Sequence, residues 1–205
     1  MATTTPNYGW TVPTSTDLVK DGATAIETLG DAIDASMNTA LGTKKAGMVL
    51  LNTTSFSAVA SQSINDVFSA TYDVYLIQYG MTASVDNGFT MRLRVGGSDD
   101  STGSAYVDQL LNANTTTVSA ARTTSNIWAL GGVNTALVST ATIKLTNPFK
   151  ASATGMEARF LNAAAGGIVN DYVGTHNQNT SYTGFSAIAS TGNFTGYISV
   201  YGYNK

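Results

Sequence analysis

The sequence predicts a mainly β protein: an antiparallel, jelly-roll-like β-sandwich over residues 47–205, preceded by an extended arm at 1–16 and one α-helix at 17–46. Three observations carry that prediction. Strand-type segments succeed one another every dozen or so residues after Gly47, at roughly the spacing of an all-β domain. No second helical period separates them, which excludes parallel βαβ construction. Ahead of them, a single stretch repeats its apolar residues at helical spacing, and the lead before it shows neither helical nor strand period.

The arm holds Pro6 and Pro13, and Trp10 follows Asn7-Tyr8-Gly9. Proline fixes φ and removes a donor, so the segment reads as extended chain in need of a surface to lie on. Large aromatics in a polar segment are costly to leave in water, which makes Tyr8 and Trp10 the candidate docking anchors. The same burial argument also allows Trp10 to fold back onto its own helix.

In the helix, Ser15 or Thr16 supplies the N-cap and Asp17 suits the first turn. Val19, Ile26, Ile33 and Ala40 then step by seven, with Leu29 three beyond Ile26. A strict seven-residue step favours helices wrapping one another over the 3.6 period of a helix lying on its own domain, although packing on the protein's own body is the alternative. Gly22 and Gly30 each weaken the helix by up to about 1 kcal/mol, and about three heptads fall short of what an isolated helix needs. The seam Val19, Ile26, Leu29, Ile33 and Ala40 is therefore expected to be buried, with oligomerisation as its purpose. Gly42 and Lys44-Lys45 suit the helix C-terminus.

Strands are predicted at Met48–Phe56, Val67–Ala83, Phe89–Val95, Ala105–Leu111, Ile127–Leu130, Ala141–Phe149, Met156–Asn162, Ile168–Val173, Phe185–Ala189 and Phe194–Tyr203. One hairpin is read in register: a loop Asp86-Asn87-Gly88, with Gly88 left-handed in a bulge, sets Tyr79, Met81 and Ala83 beside Val95, Leu93 and Met91 on a buried face. Arg92 and Arg94 then point outward.

Composition narrows the function. Charged residues are only 11% of the chain, so the surface is largely hydroxyl, amide and small apolar groups. A net charge of −3 without a Lys/Arg cluster offers no footprint for a phosphate backbone, and nucleic acid is excluded as an expected partner. Cysteine is absent, which removes disulfides and thiolate metal sites. No apolar run approaches the roughly 20 residues of a membrane span, and the start lacks a signal-peptide pattern, so no membrane insertion and folding in the cytoplasm are expected.

Chemistry is hard to assemble from these residues. His176, the single histidine, lies in a polar stretch that reads as a solvated loop, and no G-x-S-x-G elbow occurs. The carboxylates mostly neighbour Gly, Asn or Ser in turns, which accounts for them without glycosidase chemistry. Asp99-Asp100 matches no calcium-loop spacing, and VGGSDDSTGS and AAAGGIVN fit no phosphate cradle. The expectation is a non-enzymatic protein with no catalytic residues, no metal and no cofactor.

The lead and helix PNYGWTVPTSTDLVKDGATAIETLGDAIDAS, then GMVLLNTTSFS, YDVYLIQY, MRLRVGG and the closing FTGYISVYGYNK, resemble a group of tailed-bacteriophage virion proteins of the tail-fibre or structural type. The resemblance spans most of the chain and is most specific in its N-terminal third. It implies a homotrimer in the virion whose arm docks on other virion proteins of capsid or tail, whose helix knits three chains, and whose β-domain faces outward for host adsorption. A short fibre or fibre base is the leading form, a capsid decoration protein (head knob or cement) the alternative, and a polysaccharide depolymerase the remaining one. For an outward tip, the stretch Asp171–Tyr182 combines Tyr172, His176 and Tyr182 with amide and hydroxyl groups, the mixture that stacks on and hydrogen-bonds host-surface glycan.

Overall fold

The computed structural model of the chain describes residues 3–16, 18–41, 47–114, 116–162 and 168–204. It divides into two compact units, Met1–Gly47 and Met48–Lys205.

In the N-terminal unit, β1 (Thr3–Thr4) and β2 (Thr11–Val12) pair antiparallel around a turn closed by Gly9 at φ +68°. The Gly9 N–H donates to the Thr5 carbonyl at 3.0 Å and the Thr5 N–H to the Trp10 carbonyl at 2.9 Å. The expected extended arm is thus a small hairpin, because the turn at Pro6-Asn7-Tyr8 folds the segment on itself. After Leu18 a single 3-10 turn, Val19–Asp21, leads into α1 (Gly22–Leu41). Leu18 is extended at the cap position and no side chain caps the turn, so the Ser15 or Thr16 cap is not made. Thr16 instead shares a hydrogen bond with Thr14 at 3.0 Å. Asp17, Gly42 and Lys44-Lys45 lie outside the described residues.

The second unit is built of β3 (Met48–Val59), β4 (Ser61–Ile64), β5 (Val74–Ala83), β6 (Asn87–Val95), β7 (Ser98–Asp99), β8 (Tyr106–Asn114), β9 (Thr117–Ser125), β10 (Trp128–Val133), β11 (Ser139–Thr146), β12 (Thr154–Asn162), β13 (Ile168–His176), β14 (Gly184–Ala189) and β15 (Phe194–Tyr203). All pairings are antiparallel. A large sheet runs β3-β15-β5-β11-β12-β13-β8-β9, and a smaller one runs β10-β6-β14-β4 with β7 on β6. Eight and five strands make a wider sandwich than a plain eight-stranded jelly roll.

Alternation explains which faces meet. Tyr75, Ile77, Tyr79 and Met81 of β5 point inward, as do Phe89, Met91 and Leu93 of β6, and all are buried. Phe89 joins the two sheets, its ring 4.9 Å from Tyr79, 5.9 Å from Phe160 and 6.1 Å from Phe194 between centroids. The predicted face partition across Asp86–Gly88 therefore holds for Tyr79, Met81, Ala83, Met91 and Leu93 but fails at Val95, which is exposed at the strand end, and the pairing is wrong. β5 and β6 belong to different sheets, and Gly88 is not left-handed. The chain turns the corner there because it is tied to other loops: the Ser84 N–H donates to the Asn193 carbonyl at 2.9 Å and the Thr135 N–H to Asp86 Oδ1 at 2.8 Å.

Within this unit three strands, β4, β7 and β9, lie outside the predicted ones, since their Ser, Thr, Gln and Asp carry little apolar alternation. Conversely, Val67 to Tyr72 is not strand. Val67, Phe68 and Tyr72 are buried from a loop whose Val67 and Phe68 N–H groups both donate to the Thr183 carbonyl.

Candidate functional site

In the N-terminal unit the hairpin lies along one flank of α1. Trp10, half-buried, donates from Nε1 to Ser36 Oγ at 2.9 Å, and its ring stacks on Tyr8 at 5.0 Å with 14° between planes. The partly covered helix residues include Ala25, Leu29, Ala32 and Ser36, spaced for one face of a 3.6-residue period. Of the two expected anchors, Trp10 is engaged by its own helix, and Tyr8 is 72% exposed.

The heptad residues divide accordingly. Leu29 and Ile33 are half-buried, while Val19 is 95% and Ile26 65% exposed, and Ala40 is exposed. Met37, a helical turn beyond Ile33 on the same stripe, is exposed as well and was missed because it breaks the seven-residue step. Between Pro13 of the hairpin strand's exit and Gly22, Ala25 and Thr28 of the helix lies a cleft of about 600 Å³, also lined by Leu18.

In the sandwich the expected receptor segment is overturned. Asp171 to His176 is the second half of β13, and Tyr172, His176 and Tyr182 are all buried. The alternation Asn170, Tyr172, Gly174, His176 turns these residues inward, a period-2 signal that the run of polar residues around them disguised. None of the three reaches solvent as a sugar-binding tip must, and His176 is not a solvated loop histidine.

His176 and Tyr182 belong to a closed aromatic knot instead, while Tyr172 packs edge-on against Phe160 with ring centroids 5.6 Å apart. The His176 ring lies 4.2 Å from Tyr106, 5.1 Å from Tyr182 and 6.2 Å from Trp128 between centroids. Tyr182 donates its hydroxyl to Asp100 Oδ2, and Tyr106 donates to the Asp100 carbonyl at 2.7 Å while accepting the Leu93 N–H at 3.0 Å. His176 Nε2 stands 3.4 Å from Asp100 Oδ2, yet neither ring nitrogen has a hydrogen bond. Burial pushes the imidazole pKa below its usual value, against the pull of Asp100, so the ring is held neutral. Burial works against the Asp100 carboxylate too, but donors from Thr102 and Tyr182 outweigh it and keep Asp100 ionised.

The neighbouring Asp99 is taken up by Arg94 and by Ser186, whose hydroxyl donates at 2.7 Å. The two aspartates considered for calcium are thus each committed to a different internal network. Among the described residues no three His, Asp or Glu side chains gather as a metal site. His176 is sealed in the core of the sandwich, with Thr154 opposite it on the neighbouring strand.

On the outer face of the large sheet, β11, β12 and β13 carry the exposed pairs Lys144–Glu157 at 3.1 Å and Arg159–Asp171, bidentate at 2.6 and 2.8 Å. Arg159 holds the Asp171 carboxyl below its usual pKa.

No protein-family model matches this sequence, and no curated protein sequence does. Among solved structures, the chain is similar to a protein of unknown function from Shewanella oneidensis MR-1, at 12% identity over 81% of this chain and 82% of that one, with a TM-score of 0.35.

Proposed function

We propose that the chain is a non-enzymatic structural protein of a phage virion, assembled as a homotrimer through its N-terminal helices and presenting its β-sandwich outward for host adsorption. The observation that carries the assembly is the open seam. The hairpin covers the flank of α1 at Ala25, Leu29 and Ser36, yet leaves Val19, Ile26 and Met37 in water. Apolar residues left in water on a short, glycine-bearing helix favour association with copies of the same helix. The cleft beside Pro13 and Gly22 gives a neighbouring copy a further place to seat a side chain.

The virion setting and the number three rest on the resemblance of the N-terminal third. Tyr8, exposed and stiffened by stacking on Trp10, is the residue of the arm that meets another virion protein. The non-enzymatic reading is supported by the sealing of His176. Sedimentation or native mass measurement tests the assembly: three times the chain mass is expected, falling to one chain mass in Ile26→Asp with Ile33→Asp. A soluble monomer whose mass those substitutions leave unchanged defeats it. Low-resolution imaging of particles, with the protein on tail or capsid, separates a fibre from a decoration protein.

A further inference from the structure

We propose that the outer face of the large sheet carries a groove for an uncharged oligosaccharide, centred on Tyr197 and Gly80. The inference rests on the adsorption role above and moves recognition away from Tyr172, His176 and Tyr182. In the sheet ladder Tyr197, Gly80, Thr140 and Leu161 stand side by side on β15, β5, β11 and β12. Ser199, Gln78, Thr142 and Arg159 form the next row. Gly80 leaves a gap in the side-chain layer, and the Tyr197 ring leans across it. A Cβ at Gly80 would lie 2.9 Å from Tyr197 Cε1 and 3.1 Å from Cζ, so only glycine lets the ring take this place.

The result is a depression of about 380 Å³ bounded by Tyr197, Leu161, Gln78, Thr140, Thr142 and Arg159. Thr142 and Arg159 also border a second hollow of about 350 Å³ that extends to Leu76 and Val173. The two adjoin, giving a track suited to several sugar units. Tyr197 is 48% exposed and offers an apolar ring to a pyranose face, while the amide of Gln78 and the hydroxyls of Thr140 and Thr142 match sugar hydroxyls.

Charge selects the ligand class. The cations along the track, Arg159 and Lys144, are each paired with a carboxylate, Asp171 and Glu157, so no net charge remains to attract an anion. The competing occupant is a second copy of the chain. Four charged side chains, Arg159, Asp171, Lys144 and Glu157, line the second hollow and disfavour that occupant, since subunit interfaces are depleted of charge in their cores.

The test is calorimetric titration of the intact protein with neutral hexasaccharides of glucose, mannose and galactose, and with a galacturonate hexamer as the carboxylated counterpart. At least one neutral hexasaccharide is expected to bind and the galacturonate not to. Tyr197→Ala should weaken binding by about tenfold or more, as loss of a central aromatic contact does. Thr142→Val should weaken it less, and Tyr203→Ala, an exposed tyrosine of β15 outside the groove, should leave it unchanged. The proposal is overturned if no neutral hexasaccharide binds, if galacturonate binds as tightly, or if Tyr197→Ala binds like the parent. It is also overturned if Tyr197→Ala lowers the assembled mass, which would make this face a subunit contact. Mass measured on the same samples keeps the two readings apart: a trimer that binds no sugar ends this inference alone, and a monomer that binds sugar ends the assembly alone.

Discussion

The two units place their apolar side chains in opposite ways. In the sandwich Phe89, Trp128, Phe160 and Phe185 have no exposed surface, whereas among the described residues of the N-terminal unit none is fully buried. Each Val or Ile left in water forgoes roughly 1.5–3 kcal/mol that burial would supply. The sandwich has therefore closed its core within one chain. The N-terminal unit has half a core, the flank beneath Trp10, and its other apolar residues Val19, Ile26 and Met37 stay in water.

The largest expected effect separates the units by stability. Phe89→Ala removes the ring through which the small sheet meets Tyr79, Phe160 and Phe194 of the large one. It should lower the unfolding free energy of the sandwich by about 3–5 kcal/mol, read as a fall in the urea midpoint. Ile26→Ala should leave that midpoint where it is. If Ile26→Ala lowers the sandwich midpoint as well, the units are not independent and the contrast fails.

The same contrast governs what could be read from the sequence. Strong alternation marks both the strands and their inward faces at Tyr75–Ala83, within the longer predicted Val67–Ala83, and at Phe89–Leu93. The partner strand stayed hidden, because pairing depends on where the chain turns, and the corner at Ser84–Asp86 is set by hydrogen bonds to Asn134's neighbour Thr135 and to Asn193, residues far along the chain. The heptad at Val19, Ile26 and Ile33 was legible as period, but which flank the hairpin would take was not, since it turns on Trp10 meeting Ser36 across 26 positions. The buried knot was misread outright. His176 and Tyr182 sit among Asn, Gln, Thr and Ser, and polarity outweighed a period of two. The groove at Tyr197 could not be seen before the ladder placed Gly80 and Thr140 beside it.

Within the sandwich, two buried titratable groups tilt stability in opposite directions with pH. Asp108 is buried with Oδ2 unpartnered, and burial pushes its carboxyl up from 3.8 to about 6. A raised folded pKa means a contribution present below pH 3.8 and lost as pH rises through about 6. Asp108→Asn should thus stabilise the sandwich by about 1–2 kcal/mol at pH 8 and by little at pH 3.5. His176 has its pKa depressed by burial, so its contribution is present above the unfolded value of 6.5 and lost as pH falls below it. His176→Phe should flatten the fall in stability on acidification. Urea midpoints measured from pH 4 to 8 check both, and an Asp108→Asn protein no more stable than the parent at pH 8 would show that the carboxyl is satisfied.

The smallest effect probes the one place where the N-terminal unit has begun to close. Ser36→Ala removes the acceptor of the Trp10 indole N–H and little else, because Ser36 is only half-buried and the ring keeps its stacking on Tyr8. Loss of one such bond at a partly hydrated site should cost about 0.5–1.5 kcal/mol, all of it in the docking of the hairpin on α1. Hydrogen exchange followed by mass spectrometry should then show faster exchange at the Thr5 and Gly9 N–H groups, which close the hairpin turn, with protection in β5 and β11 unaltered. The urea midpoint of the sandwich should not move. Exchange at Thr5 and Gly9 matching the parent would mean that the hairpin holds its place without the indole contact, and that the flank beneath Trp10 is no more a finished core than the open seam beside it.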